Sequence, residues 1–426
     1  MRNLLFVLSF LAIQIIAVPL SASGEPPGLD IDGGFSIPII HRPLENKDPL
    51  SALHRAYQRY GVGTGAPKEL TGLLERLELS PRKSNHKRDG STGIVSAEPT
   101  HLDVEYLCPV KIGKNTLNLN FDTGSNALWV FSSVTPANQR GSHSIYVPGI
   151  TSVKRNNYFW AISYADDSKA SGVVFMDTVQ VGSVTVTSQA VQAATAVSKN
   201  FVENSDVDGL LGLGYTKFNS ISPERTETWF ANAMKTLKSG VFTADLRPSA
   251  IGAYTFGYID PSRYTGSITY QPLHSTSASK GWWIVDATKG YKIGNDKFTD
   301  VEGSQNGAVL DTGTTFLLMS EKVVKNYYSK IRGSKYDSGH GGWVFPCSSA
   351  IPILQVPFGD AFASIPPKYM IHTTVGSQKS LCFGSLQSLG STRKHLPYIY
   401  GDSFFKANYV VFDMKNGKAG FAKKRD

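Results

Sequence analysis

Two short segments of this 426-residue chain have the residue types for acid–base chemistry. Phe121-Asp122-Thr123-Gly124-Ser125 recurs as Leu310-Asp311-Thr312-Gly313-Thr314, displaced by 189 positions. Each Gly allows a tight backbone approach and unusual dihedrals. Each Thr hydroxyl can bond across a two-fold axis and brace the opposite turn. The Ser125 and Thr314 hydroxyls can reach the carboxylates from outside. Two carboxylates held within a few ångströms cannot both ionise cheaply, so one keeps a proton at mildly acid pH while the other stays charged. An acid and a base then share one water, which suffices to hydrate an amide carbonyl without metal or covalent intermediate.

Something must bring the two segments together, and the repeat extends far enough to indicate what. Ninety residues after each Asp lies a Gly preceded by two hydrophobic residues, Leu210-Leu211-Gly212 and Ile399-Tyr400-Gly401. Two matches at one displacement imply two related halves, each contributing one Asp-Thr-Gly turn to a shared place. The surrounding pattern is β-type from His101 onward. Glu105 to Ile112 alternates, and Asn118 to Phe131 reads as strand, turn and strand. Tyr158 to Tyr164 sets Trp160, Ile162 and Tyr164 on one face. Ala165-Asp166-Asp167-Ser168 then turns the chain, and Gly172 to Val181 returns as a strand, giving a hairpin with an acidic tip.

Composition narrows the possibilities. With 41% hydrophobic residues, 40 Gly, 19 Tyr and 22 Phe, the chain reads as a large β-rich protein. Arg2 followed by an apolar run from Leu4 to Leu20, with small residues at Ala22 and Ser23, predicts a signal peptide over residues 1–23. Residues 24–88, rich in Pro, Gly and charge and ending in Lys87-Arg88, read as a propeptide. Among its basic residues, Arg59 or a neighbour is a candidate to neutralise the two carboxylates. The net charge of +9 is scattered and comes with no basic helix or nucleic-acid motif, so no nucleic-acid partner is expected. Of three cysteines, Cys347 and Cys382 lie 35 positions apart in one β-rich stretch and are expected to pair. Cys108 shares an apolar face with Tyr106, Val110 and Ile112, as a buried free thiol would. Asn204 to Gly209 imitates the start of a calcium loop, but Tyr215 stands where a bidentate Glu is needed. No metal site, cofactor, sequon or membrane anchor is expected.

The residues now on the page carry a resemblance to the pepsin family of aspartic endopeptidases, closest to fungal secreted members of the penicillopepsin and endothiapepsin type. It covers residues 100–424. It includes Glu105-Tyr106-Leu107, Phe121 to Val130, Asp208 to Leu213, Tyr264 to Ser267, Asp311 to Thr315 and Tyr409 to Asp413. The resemblance implies an all-β, bilobal, double β-barrel fold with pseudo-two-fold symmetry and an active-site cleft between the lobes. Residues 89–270 would form the N-terminal lobe with inter-lobe strands, and 271–426 the C-terminal lobe. It implies Asp122 and Asp311 as the catalytic pair, supported by Thr123, Gly124, Ser125, Thr312, Gly313 and Thr314. Tyr164, with Ala165 and Asp166, falls on a mobile flap, Trp129 on the hydrogen-bonding partner of the flap tyrosine, and Cys347 and Cys382 on the C-terminal-lobe disulfide. The expectation is a monomeric zymogen, extracellular rather than vacuolar, cleaving peptides at acid pH. Its own propeptide and pepstatin-type compounds would inhibit it.

This sequence departs from the family pattern in two places. The flap turn lacks the two glycines usual there, carrying Ala165 and Asp167 instead, which should stiffen or re-aim the tip. Asn126-Ala127 replaces pairings such as Ala-Asp or Ser-Asn. Asp166 and Asp167 could favour Lys beside the scissile bond. The alternative function is a catalytically silent peptide-binding member of the same fold, although both Asp-Thr-Gly triplets are intact.

Overall fold

The computed structural model describes residues 91–100, 105–163, 168–216, 219–300, 307–375, 380–390 and 396–425. The expected signal peptide and propeptide, including Lys87-Arg88, lie outside these residues. So do Tyr164, Ala165, Asp166 and Asp167 of the hairpin tip.

Period-two alternation in the sequence becomes a closed barrel in the first half. Tyr106–Ile112 pairs with Asn115–Asp122, which pairs in turn with Gly209–Gly212. The ring continues through Leu128–Val130, Val184–Val197 and Lys169–Val181, and Val181 returns to pair with Val110. Closure leaves these six strands no free edge. Tyr106, Cys108, Val110 and Ile112 all point inward and are buried, as the alternation predicted. Leu117, Leu119 and Phe121 meet them from the next strand. The hairpin formed by Val153–Ser163 and Lys169–Val181 also follows the sequence reading, its last arm pair being Ser163 with Lys169. Trp160 is its buried face residue, while Phe159 beside it is exposed.

The second half repeats the central feature of the first. In each half a strand passes between a parallel and an antiparallel neighbour. Phe121 pairs with Leu211 in parallel, and Leu310 pairs with Tyr400 in parallel. Leu128 pairs with Leu211 antiparallel, and Leu317 with Tyr400 antiparallel. Adding 189 to each first-half residue gives its second-half counterpart, so the sequence repeat is also a repeat of hydrogen-bond register. A four-stranded sheet beyond it carries Cys347–Cys382, whose Cα atoms are 5.0 Å apart. Cys108 is free and buried.

One antiparallel run joins the halves: Gly93–Pro99, Ala250–Phe256, Val241–Arg247, Asn408–Asp413, Lys418–Lys424 and Tyr264–Pro272. The last of these strands crosses the lobe boundary expected at residue 270. Its apolar face buries Phe242 against Phe412, ring centroids 4.5 Å apart, and Trp283 packs on both. This sheet fixes the position of one half against the other, and with it that of the two Asp-Thr-Gly turns.

Candidate active site

Each Asp-Thr-Gly turn follows directly from a buried strand, which aims it at its counterpart. Thr123 Oγ1 donates to the Leu310 carbonyl at 2.8 Å, and Thr312 Oγ1 donates to the Phe121 carbonyl at 2.7 Å. The backbone N–H of Thr312 donates to Thr123 Oγ1 at 2.9 Å, and that of Thr123 to Thr312 Oγ1 at 3.2 Å. The two threonines are therefore buried and cross-linked, each satisfying polar groups of the opposite turn. Val at either position would keep the shape and leave buried carbonyls and amides without partners.

The carboxylates sit on the same axis. Asp122 and Asp311 are both fully buried. The Gly124 N–H donates to Asp122 Oδ1 at 2.9 Å, and the Gly313 N–H donates to Asp311 Oδ1 at 2.9 Å. Asp311 lies directly on the other turn: a Cβ added to Gly124 would stand 2.4 Å from Asp311 Oδ1 and 2.6 Å from its Cγ. Only glycine fits at 124. Symmetry breaks one residue further on. Thr314 Oγ1 donates to Asp311 Oδ2 at 2.5 Å, whereas the buried Ser125 Oγ makes no hydrogen bond among the described residues.

Gly212 and Gly401 are close-approach positions of the same kind. A Cβ on Gly212 would meet Asn126 Cα at 2.5 Å, and one on Gly401 would meet the Thr314 carbonyl at 2.2 Å. This is why the sequence repeats a Gly ninety residues after each Asp.

The family described as eukaryotic aspartyl protease matches residues 105–424. The chain belongs to that family. Penicillopepsin-3 of Penicillium janthinellum is 42% identical over 98% of this chain and 100% of its own. Aspergillopepsin-1 of Aspergillus pseudoglaucus is 43% identical over 96% and 97%. The aspartic proteinase from Irpex lacteus superposes with a TM-score of 0.66 at 25% identity, covering 78% of this chain and 98% of that one. The protein is an aspartic endopeptidase, a hydrolase acting on peptide bonds, and the silent alternative is set aside.

The structure of the protease brings together Asp122, Thr123, Gly124, Asp311, Thr312, Gly313 and Thr314. Trp129 is fully buried on the strand after the first turn, packed against Trp160, Phe131 and Phe201. Its expected partner Tyr164 lies outside the described residues. Among the described residues, no group of three His, Cys, Asp or Glu could hold a metal ion. No helix there is long and apolar enough to cross a membrane.

Two buried residues near the pair escaped the sequence reading. Tyr254 lies under the crossed threonines, its hydroxyl donating to the Phe121 carbonyl at 3.4 Å and its ring packed on Phe121. Burial, and then the neighbouring Cys108, push its phenol well above the usual range, so it stays a neutral donor. Asp402 is fully buried at the start of the helix Asp402–Ala407, and its N–H donates to the Thr314 carbonyl at 2.7 Å. Its place immediately after Gly401, in the second copy of the repeat, was the available signal. Tyr254 offered none, because it is one aromatic in an alternating strand.

Proposed function

We propose that Asp122 and Asp311 are the catalytic pair of this endopeptidase and that they work by turns as base and acid. The observation that carries this is the contact between Gly124 and the Asp311 carboxyl, which puts Asp311 directly on the turn that bears Asp122. One carboxylate takes a proton from water as the water oxygen adds to the scissile carbonyl carbon. The other, protonated, gives its proton to the carbonyl oxygen. The tetrahedral diol collapses when the C–N bond breaks, the leaving amine taking up a proton from the pair. Thr314 holds Asp311 from outside, Thr123 and Thr312 fix the separation of the turns, and Tyr164 with Ala165 and Asp166 closes over the peptide from the hairpin.

We further propose that the protein is made as a secreted zymogen. Residues 1–23 direct export, and residues 24–88 block the cleft until acid protonates their carboxylates and loosens their ion pairs with the basic mature surface. Its substrates are proteins and peptides, and pepstatin-type compounds compete for the same cleft. The test is peptide hydrolysis from about pH 2 to 7 by acid-treated precursor, alone, with pepstatin, and as Asp311→Asn. Activity on the acid side, lost in both controls, is expected. Hydrolysis that survives Asp311→Asn would overturn the assignment of the pair.

A further inference from the structure

The two halves repeat in register, yet they fix their catalytic turns by different means. In the second half, the loop after Asp311 is held by the helix Asp402–Ala407. The Asp402 N–H donates to the Thr314 carbonyl at 2.7 Å, and both the N–H and the hydroxyl of Ser403 reach the Thr315 carbonyl, at 3.4 and 3.3 Å. The described residues at the corresponding place in the first half are held differently. After Gly212 the chain turns irregularly through Leu213, Gly214 and Tyr215. Leu213 N–H donates to the Asp122 carbonyl and Gly214 N–H to the Ser125 carbonyl, both at 2.8 Å.

The remaining fastening is made by side chains. Asn126, the counterpart of Thr315, donates from Nδ2 to the Tyr215 carbonyl at 3.0 Å. Its own carbonyl accepts from Asn219 Nδ2 at 3.4 Å, and Asn219 Oδ1 accepts from the Ile221 N–H at 3.1 Å. Both asparagines are buried. Asn126 occupies one of the two places where this sequence departs from the family's usual pairing after Ser125. The loop has no slack around it, because Gly212, the pairing partner of Asp122, presses on the Asn126 backbone.

We propose that Asn126 is a positioning residue, whose side-chain amide does for the Asp122 turn what a helix N-terminus does for the Asp311 turn. This rests on the assignment of Asp122 and Asp311 as the catalytic pair. In this role Asn126 need not touch the substrate. It acts by holding the Ser125–Asn126 backbone against Tyr215 and Asn219, so that Asp122 meets Asp311 at a fixed separation. A small misplacement of a catalytic group costs up to about a hundredfold in rate.

The experiment compares Asn126→Ala and Asn219→Ala, made separately in the full-length precursor and activated by acid, with kcat, KM and the pH profile measured well below each variant's Tm. Making the two separately means that a folding failure in one leaves the other as the test. Asn126→Ala is expected to lower kcat by about tenfold, leave KM within about twofold and move the acid limb of the profile, because the coupling between the carboxylates depends on their separation. Asn219→Ala is expected to do the same to a smaller degree. Restoring a side-chain amide donor with Asn126→Gln should recover part of the kcat lost in Asn126→Ala. A lower Tm with kcat, KM and pH profile unchanged would overturn the proposal and make Asn126 an ordinary structural residue. Asp311→Asn in the wild-type background separates the two readings: if it keeps activity, the catalytic pair is wrong, whatever Asn126 does.

Discussion

At the scale of single residues, the approach of Asp311 to the first turn depends on Gly124 having no Cβ. Gly124 has Asp311 where any other residue would have its Cβ. Gly124→Ala must therefore push the Asp311 carboxyl off its axis or break the crossed threonine bonds. We expect hydrolysis to fall by at least about a hundredfold, with KM little changed and the fold retained. Peptide-cleavage kinetics alongside circular dichroism would check this, and near-normal kcat would show that the turns can separate without loss of chemistry. The Asp-Thr-Gly repeat was legible because its chemistry demands particular residue types at fixed spacing. The difference between Ser125 and Thr314 was not, since the sequence predicts a symmetric role for the two and only the folded loop shows that, among the described residues, Thr314 reaches its carboxylate and Ser125 Oγ has no partner.

At the scale of elements, alternation foretold the strands between Glu105 and Phe131 and the hairpin, while the repeat spacing marked Leu210-Leu211-Gly212 and Ile399-Tyr400-Gly401 without assigning them strands. What they could not foretell was how the connecting loops are fastened, because loop contacts join residues far apart in sequence without periodicity. The loop after Trp129 is an example. His143 stacks on Phe131 with ring centroids 3.8 Å apart, and its Nε2 bonds the Val202 carbonyl at 3.2 Å, tying that loop to the helix Lys199–Glu203. Burial holds the imidazole below its usual value, and the Val202 bond offsets this only in part. A value depressed in the fold means that the stability linked to neutral His143 is full above the free-histidine value of 6.5 and is lost as pH falls through the folded value. His143→Leu removes this titration. Its stability should decline less than wild type's between about pH 6.5 and 4, at about 1.4 kcal/mol for each unit of pKa shift removed. Urea unfolding at several pH values reads this directly, and parallel slopes for the two proteins would refute it. The Cys347–Cys382 bond is the other fastening in this class. Replacing both cysteines with serine should cost about 3–4 kcal/mol, the chain-entropy value for a loop of 35 residues, in a chemical-denaturation comparison.

At the scale of the whole molecule, the acid-side activity proposed for Asp122 and Asp311 requires the joint between the halves to survive acid. The sheet shared by both halves contains a buried charge cluster suited to that. Asp245 is fully buried and meets Lys424 at 3.2 Å, Arg263 at 2.9 Å and Arg247 at 3.0 Å, while Asp260 holds Arg263 from the other side. Burial alone would raise the Asp245 carboxyl, but Lys424 and Arg247 outweigh it and hold it below its ordinary value of 3.8. Lys424 is pulled down to about 8 by burial, against the opposing pull of Asp245, so both groups are charged throughout the weakly acid and neutral range. Because the Asp245 value is depressed, its contribution is present above about pH 3.8 and is lost only as pH falls through the lower folded value. The strands involved come from both halves, Val241–Arg247 from the first and Lys418–Lys424 from the last segment of the chain. Asp245→Asn strands Lys424 in the interior without its counter-charge. That should cost about 3 kcal/mol at pH 5 and shrink to little below the folded value, where wild type has also lost the charge. Thermal unfolding at pH 5 and at a second pH low enough to protonate Asp245 reads both arms. An equal loss at the two pH values would mean that Asp245 acts through packing alone, and that the acid tolerance of the joint lies in its aromatic core around Phe242, Trp283 and Phe412.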